Sequence, residues 1–130
     1  MTDPVFLVLA ALLVLQFKHF IADFVLQSSY QFLNKGKYGH PGGILHSAIH
    51  ALGSLFAFLV IAPTVTLGAA IVIGEFIVHY HIDWLKERTV RANQWVFPQS
   101  EFWWTFGADQ AAHQATYVAI AALLAWNAGL

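Results

Sequence analysis

The residues best suited to chemistry in this sequence come in pairs. His19 and Asp23, His46 and His50, His79 and Asp83, and Asp109 and His113 are each spaced i, i+4. On an α-helix that spacing stacks two side chains on one face, one turn apart, so each helix offers two ligand atoms to a common neighbour. These ligands suffice for one or two divalent ions, at about four protein ligands per ion, with a position left for water. The donor set fits zinc, iron or manganese better than copper(I), and zinc leads. The chain has no cysteine, which excludes thiolate sites, disulfides, iron–sulfur clusters and thiol nucleophiles.

Other polar residues surround these pairs. Glu75 continues the His79 and Asp83 face by one more turn, as a deep ligand, an acceptor orienting an imidazole, or a proton relay; the last two are favoured. His81 is two positions from His79 and points to another face, and His40 lies in a loop with Gly and Pro, so neither is expected to be a ligand. Lys18 and Lys86 are expected to snorkel to an interface. Lys86 is also one turn beyond Asp83, where it can contact a bound anion.

Such groups need elements to position them. The chain has 130 residues, enough for one domain, and is 58% hydrophobic and 10% charged, far from the roughly 25% charged content of soluble domains. The pattern predicts an all-α, integral membrane, four-helix up-down bundle, a single transmembrane domain over 1–130. Its helices are expected at about 4–27, 43–62, 65–86 and 105–127, each about 20 residues and long enough to cross a bilayer. A soluble bundle would need a continuous polar stripe on every helix, and none of the residues from Val5 to Leu15 is polar. Asp3 stands where a signal peptide would have a basic segment, so the first helix is expected to be retained.

Two longer connections, Gln27 to Gly42 and Lys86 to Trp104, fall on one side, and the Pro63 turn and both termini on the other. The first side carries Lys35, Lys37, Lys86, Arg88 and Arg91, which predicts cytoplasmic loops and outward termini. Trp95, Phe97, Phe102, Trp103 and Trp104 suit the second loop to the headgroup level. The pairs fall late in helices one and three and early in helices two and four, so all four lie toward the cytoplasmic face. At 1.5 Å per residue, Asp23, His50, His79 and His113 lie roughly 5 to 12 Å inside it. Three aspartates at that depth require compensation, which a cation or a hydrogen-bonded network supplies.

Small residues at Ala111, Ala115, Ala119 and Ala122, and at Ala70 and Gly74, form ridges that let helices approach closely. The two helical hairpins share a layout of ligand pair, basic loop and ligand pair, which suggests a pseudo-twofold arrangement.

The motifs His19-x-x-x-Asp23-Phe24-x-x-Gln27, Asn34-Lys35, His46-x-x-x-His50, His79-x-x-x-Asp83-x-x-Lys86 and Asp109-Gln110-x-x-His113 resemble the bacterial membrane family called domain of unknown function 3307. The resemblance covers most of the chain, from His19 to His113. It implies a small multi-helix protein of the bacterial inner membrane and names no reaction. The aromatic Trp95 to Trp104 segment lies outside these motifs.

The leading functional expectation is a metal-dependent membrane hydrolase acting on an anionic or lipid-like substrate. Asp23, Asp83 or Asp109 would bridge ions or act as general base, and Lys86 would stabilise negative charge. The helix N-termini expected at the site would favour the same anions. The alternatives are a metal or proton transporter, a structural metal-binding subunit, a di-iron oxidoreductase, and a bis-histidine haem protein. Expected partners are membrane lipids and the substrate, with no nucleic acid; assembly into a homo-oligomer is compatible with so small a bundle.

Overall fold

The computed structural model describes residues 3–130 and is all-α, with no strand among them. Helix α1 (Pro4–Phe20) starts where Asp3 accepts from the Val5 amide at 2.8 Å and Pro4 needs no amide partner. It runs on into a π-helical turn, Ile21–Val25, closed by the Leu26 amide on the Ile21 carbonyl at 2.9 Å. Short helix α2 (Ser29–Asn34) follows, started by a capping box between Ser28 and Gln31. After a turn through Gly39, whose φ is 77°, α3 (Pro41–Gly53) begins with His40 as N-cap. It breaks at Ser54 before the four-residue α4 (Leu55–Phe58). Helices α5 (Val65–Ala92) and α6 (Ser100–Asn127) are 28 residues each and uninterrupted.

Helix α1 packs against α6 on one side and α3 and α4 on the other, and α5 packs against α3 and α6. The Thr64 amide donates to Asn127 Oδ1 at 3.0 Å, and Leu130 lies beside Pro4 and Val5. Both described chain ends therefore sit at the same end as the Pro63 turn. Near that end the interior is apolar, built from Ala11, Leu15, Ala57, Ile61, Ile71, Tyr117, Ile120 and Leu124.

The helices depart from the expected ranges. The second connection shortens to 93–99, because nothing between Lys86 and Ala92 breaks the helix and α6 begins right after Pro98 and Gln99. Phe102, Trp103 and Trp104 are thus helical, and only Trp95 and Phe97 lie in the connection. The first connection is filled by α2, and the second expected helix is split at Ser54.

Two helices are long and apolar enough to cross a membrane, Pro4–Val25 and Val65–Ala92, with mean hydropathies of 2.2 and 1.6. Large apolar side chains cover the outside, Leu59 being 83% and Val65 91% exposed, while Lys18, Lys35, Glu75, Asp83, Glu87 and five histidines are buried.

Candidate metal centre

All four pairs meet at the end where α2 lies. The His79 ring is 3.8 Å from that of His50 and 4.2 Å from that of His113, centroid to centroid. His46 and His19 flank them, 4.7 Å and 5.2 Å from His50. Asp23, His46, His50 and His79 each present one ligating atom within 4.8 Å of the others, and so do His79, Asp83 and His113. These are groups that can hold a metal ion. His19 and Asp109 stand at the margins: His19 Nε2 is 3.2 Å from Asp23 Oδ2, and Asp109 Oδ1 is 3.5 Å from His113 Nε2.

The two carboxylates at the centre collect the nitrogens. Asp23 Oδ1 lies 3.1 Å from His46 Nε2 and 3.0 Å from His50 Nε2. Asp83 Oδ2 lies 3.1 Å from His46 Nε2 and 3.5 Å from His79 Nε2, while its Oδ1 is 3.3 Å from His113 Nε2. Despite these distances, His46 Nε2, His79 Nε2, Asp83 Oδ2 and Asp109 Oδ1 are buried without a hydrogen bond. Donors on a tetrahedral ion with bonds of 2.0–2.1 Å are separated by about 3.3 Å. The observed spacing and the orphaned atoms therefore fit ligands turned toward a shared point better than ligands turned toward each other.

Asp23 reaches both α3 histidines from the π-helical turn, whose wider winding advances its side chain relative to α-helical register. On α5, Glu75, His79, Asp83 and Glu87 form a buried stripe at i, i+4 spacing.

Glu75 touches no imidazole. It accepts from the Lys18 ammonium and from the Ser54 hydroxyl, and Lys18 Nζ also donates to the His50 carbonyl at 2.9 Å. Lys18 therefore does not reach an interface: it is 7% exposed and faces inward, 4.5 Å from the centre of the Tyr117 ring. Tyr117 Oη lies 2.8 Å from His19 Nδ1, and Gln110 Oε1 3.1 Å from His19 Nε2.

Lys86 is bound to Glu87 at 2.7 Å instead of facing Asp83. It shares with Asp109 a groove of about 280 Å³ between α5 and α6. The lysine on Asp83 is Lys35, buried, with Nζ 3.3 Å from Oδ2. Burial alone would lower the pKa of Lys35; the carboxylates of Asp83, Asp23, Asp109 and Glu87 outweigh that and hold it above the ordinary lysine value. Close backbone approach seats it: a Cβ on Gly36 would lie 2.9 Å from Glu87 Cβ, one on Gly42 2.7 Å from the Tyr30 carbonyl, and one on Gly43 3.2 Å from Lys35 Cα.

His81 bonds Tyr38 and the Ile77 carbonyl on the outside, and His40 caps α3, both away from the cluster. Of the expected helix N-termini, that of α3 is close, but α6 starts nine residues before Asp109, about 13 Å away along the axis.

No curated protein and no solved structure matches the sequence. The family model described as Protein of unknown function (DUF3307) matches residues 8–129, nearly the whole chain and every residue of the cluster, and the chain belongs to that family.

Proposed function

We propose that the chain is a four-helix protein of the bacterial inner membrane whose His/Asp cluster binds zinc, with iron or manganese as substitutes, and hydrolyses an ester of an anionic or lipid-like substrate. The carrying observation is the set of buried ligand atoms without a hydrogen bond on His46, His79 and Asp109, gathered around Asp83, whose Oδ2 has the Lys35 ammonium at 3.3 Å. Charge supports it. Glu75 is matched by Lys18, Glu87 by Lys86 and Arg91, and Asp83 by Lys35. With neutral imidazoles, the carboxylates of Asp23 and Asp109 are left over, the charge of one divalent ion.

The membrane reading rests on the apolar exterior and the charged interior. Helix α5 is about 42 Å long, more than the roughly 30 Å of hydrocarbon, and His79 and Asp83 lie in its second half, toward the end that carries Lys37, in the turn after α2, and Arg88, near the end of α5. That end would face the cytoplasm, with the Pro63 turn and the termini outside.

A metal in the cluster supplies Lewis acidity and an activated water. Around it, Asp109, unpartnered at one oxygen and lining the groove between α5 and α6, is placed to accept a proton from a water entering there. Asp23 and Asp83 would ligate beside the histidines. For His19 to ligate through Nε2, its Nδ1–H must donate to Tyr117 Oη, which fixes the tautomer. An apolar groove of about 330 Å³ runs along α1 and α3 as far as Ala22 and Leu26, on either side of Asp23, and suits a lipid acyl chain.

Transport is the second reading, favoured by the polar chain that Glu75, Lys18 and Ser54 extend inward. The apolar core around Leu15, Ile71 and Leu124 closes that chain, so chemistry ranks above passage.

The test is the metal content of protein purified without chelator, compared with His50→Ala and Asp83→Ala, together with hydrolysis assays on phosphoester, amide and ester substrates. Zinc in the parent, lost in both variants, and turnover of an anionic ester are expected. A metal-free parent would sink the metal reading; metal without turnover, but with flux in vesicles, would put transport first.

A further inference from the structure

Lys35 is the cation that the cluster carries within its own chain. It comes from outside the spanning helices, and its ammonium reaches Asp83 Oδ2, an oxygen that also has His46 Nε2 and His79 Nε2 within 3.5 Å. Asp83 belongs to the group His79, Asp83 and His113, the one of the two possible ion positions built from α5 and α6 alone. The other position, Asp23 with His46, His50 and the shared His79, has no lysine on its carboxylate; the nearby Lys18 is taken up by Glu75 and the His50 carbonyl.

We propose that Lys35 occupies the place of a second metal ion, so that the centre binds one ion at Asp23, His46 and His50 and admits a second at Asp83 only with an anion of the phosphate type. This rests on the metal-centre reading above. One divalent ion and the Lys35 ammonium together match the three carboxylates of Asp23, Asp83 and Asp109. A second divalent ion beside an unmoved Lys35 would bring an excess of two positive charges into a poorly solvated interior, which is strongly unfavourable. A phosphate oxyanion removes the excess by bridging ion and ammonium, and it does so where an anionic ester would bind.

Lys35 is well placed for this because its position is fixed. Gly36 and Gly43, on either side of its seat, allow backbone approaches that any Cβ would block or crowd. The ammonium is therefore presented by a clamped segment, and release of Asp83 needs only rotation of the lysine side chain.

The experiment titrates metal-stripped protein in detergent with zinc, with and without inorganic phosphate, and counts zinc per chain after desalting. The wild type is expected to hold one zinc and to take up a second at least tenfold more readily with phosphate. Lys35→Gln and Lys35→Met should hold two without phosphate, and Lys35→Arg should behave as wild type. Circular dichroism and gel filtration identify any variant that fails to fold, and the phosphate arm on the wild type needs no variant. Two zinc ions in the wild type without phosphate would overturn the proposal, as would a single zinc in every variant and condition. Those outcomes leave the metal centre standing, whereas no zinc anywhere removes both.

Discussion

The half of the molecule made by α1 and α3 and the half made by α5 and α6 bring ligand pairs to the same place by different means. In the second half the helices are regular over 28 residues each, and i, i+4 spacing alone aligns His79 with Asp83 and Asp109 with His113. In the first half the backbone is distorted twice, by the π-helical turn at Asp23 and the break at Ser54. The first half offers three histidines and one aspartate, the second two and two, and Lys35 lies on the more acidic one. With neutral imidazoles and Lys35 counted, each half keeps one uncompensated carboxylate. The regular pair of helices places its side chains by periodicity, and the distorted pair brings Asp23 to the α3 histidines from a π-helical turn.

The largest expected effect comes from cutting the tie between the halves. Lys18→Ala leaves Glu75 buried and unpaired and should cost about 3–5 kcal/mol, read as loss of thermal stability in detergent. Lys18→Met combined with Glu75→Leu should recover most of it; no recovery would mean that the pair does more than cancel charge.

A second experiment tests whether the halves differ in metal affinity. Asp23→Asn should weaken zinc binding by roughly a hundredfold, and Asp109→Asn by about tenfold, on the usual scale for ligands and their neighbours. Competition with a chelating dye measures both, and equal losses would erase the distinction between tight and marginal positions.

The smallest effect probes how one half orients the other. Tyr117→Phe removes the hydroxyl of α6 that meets His19 of α1, with an expected cost of about 1 kcal/mol. Zinc affinity should fall in parallel if His19 is a ligand, and stay unchanged if it is not.

What could be read from the sequence follows this contrast. The four pairs and the all-α class were legible because they depend on periodicity, which is a property of the chain itself. Glu87 was within reach, being one more i+4 step beyond Asp83. Lys35 was not: the positive-inside pattern already accounts for a lysine in that loop, and only the fold-back permitted by Gly36, Gly42 and Gly43 brings it to Asp83. Lys18 was misplaced for a related reason. The turns before it are apolar all round, so nothing in the pattern says which face points inward. The π-helical turn has neither proline nor glycine to announce it, and the end of the second helix hides in a Gly53-Ser54 step that reads as ordinary helix.

The close contacts of α2 with α3, and of Gly36 just after it with α5, also bear on time. The segment that carries Lys35 leaves no room for a Cβ at Gly36, so an ion bound beneath it, in the proposed centre, would exchange faster when that segment lifts. The residence time of an ion in the proposed centre would then depend on how often that segment opens as well as on how tightly the ligands hold.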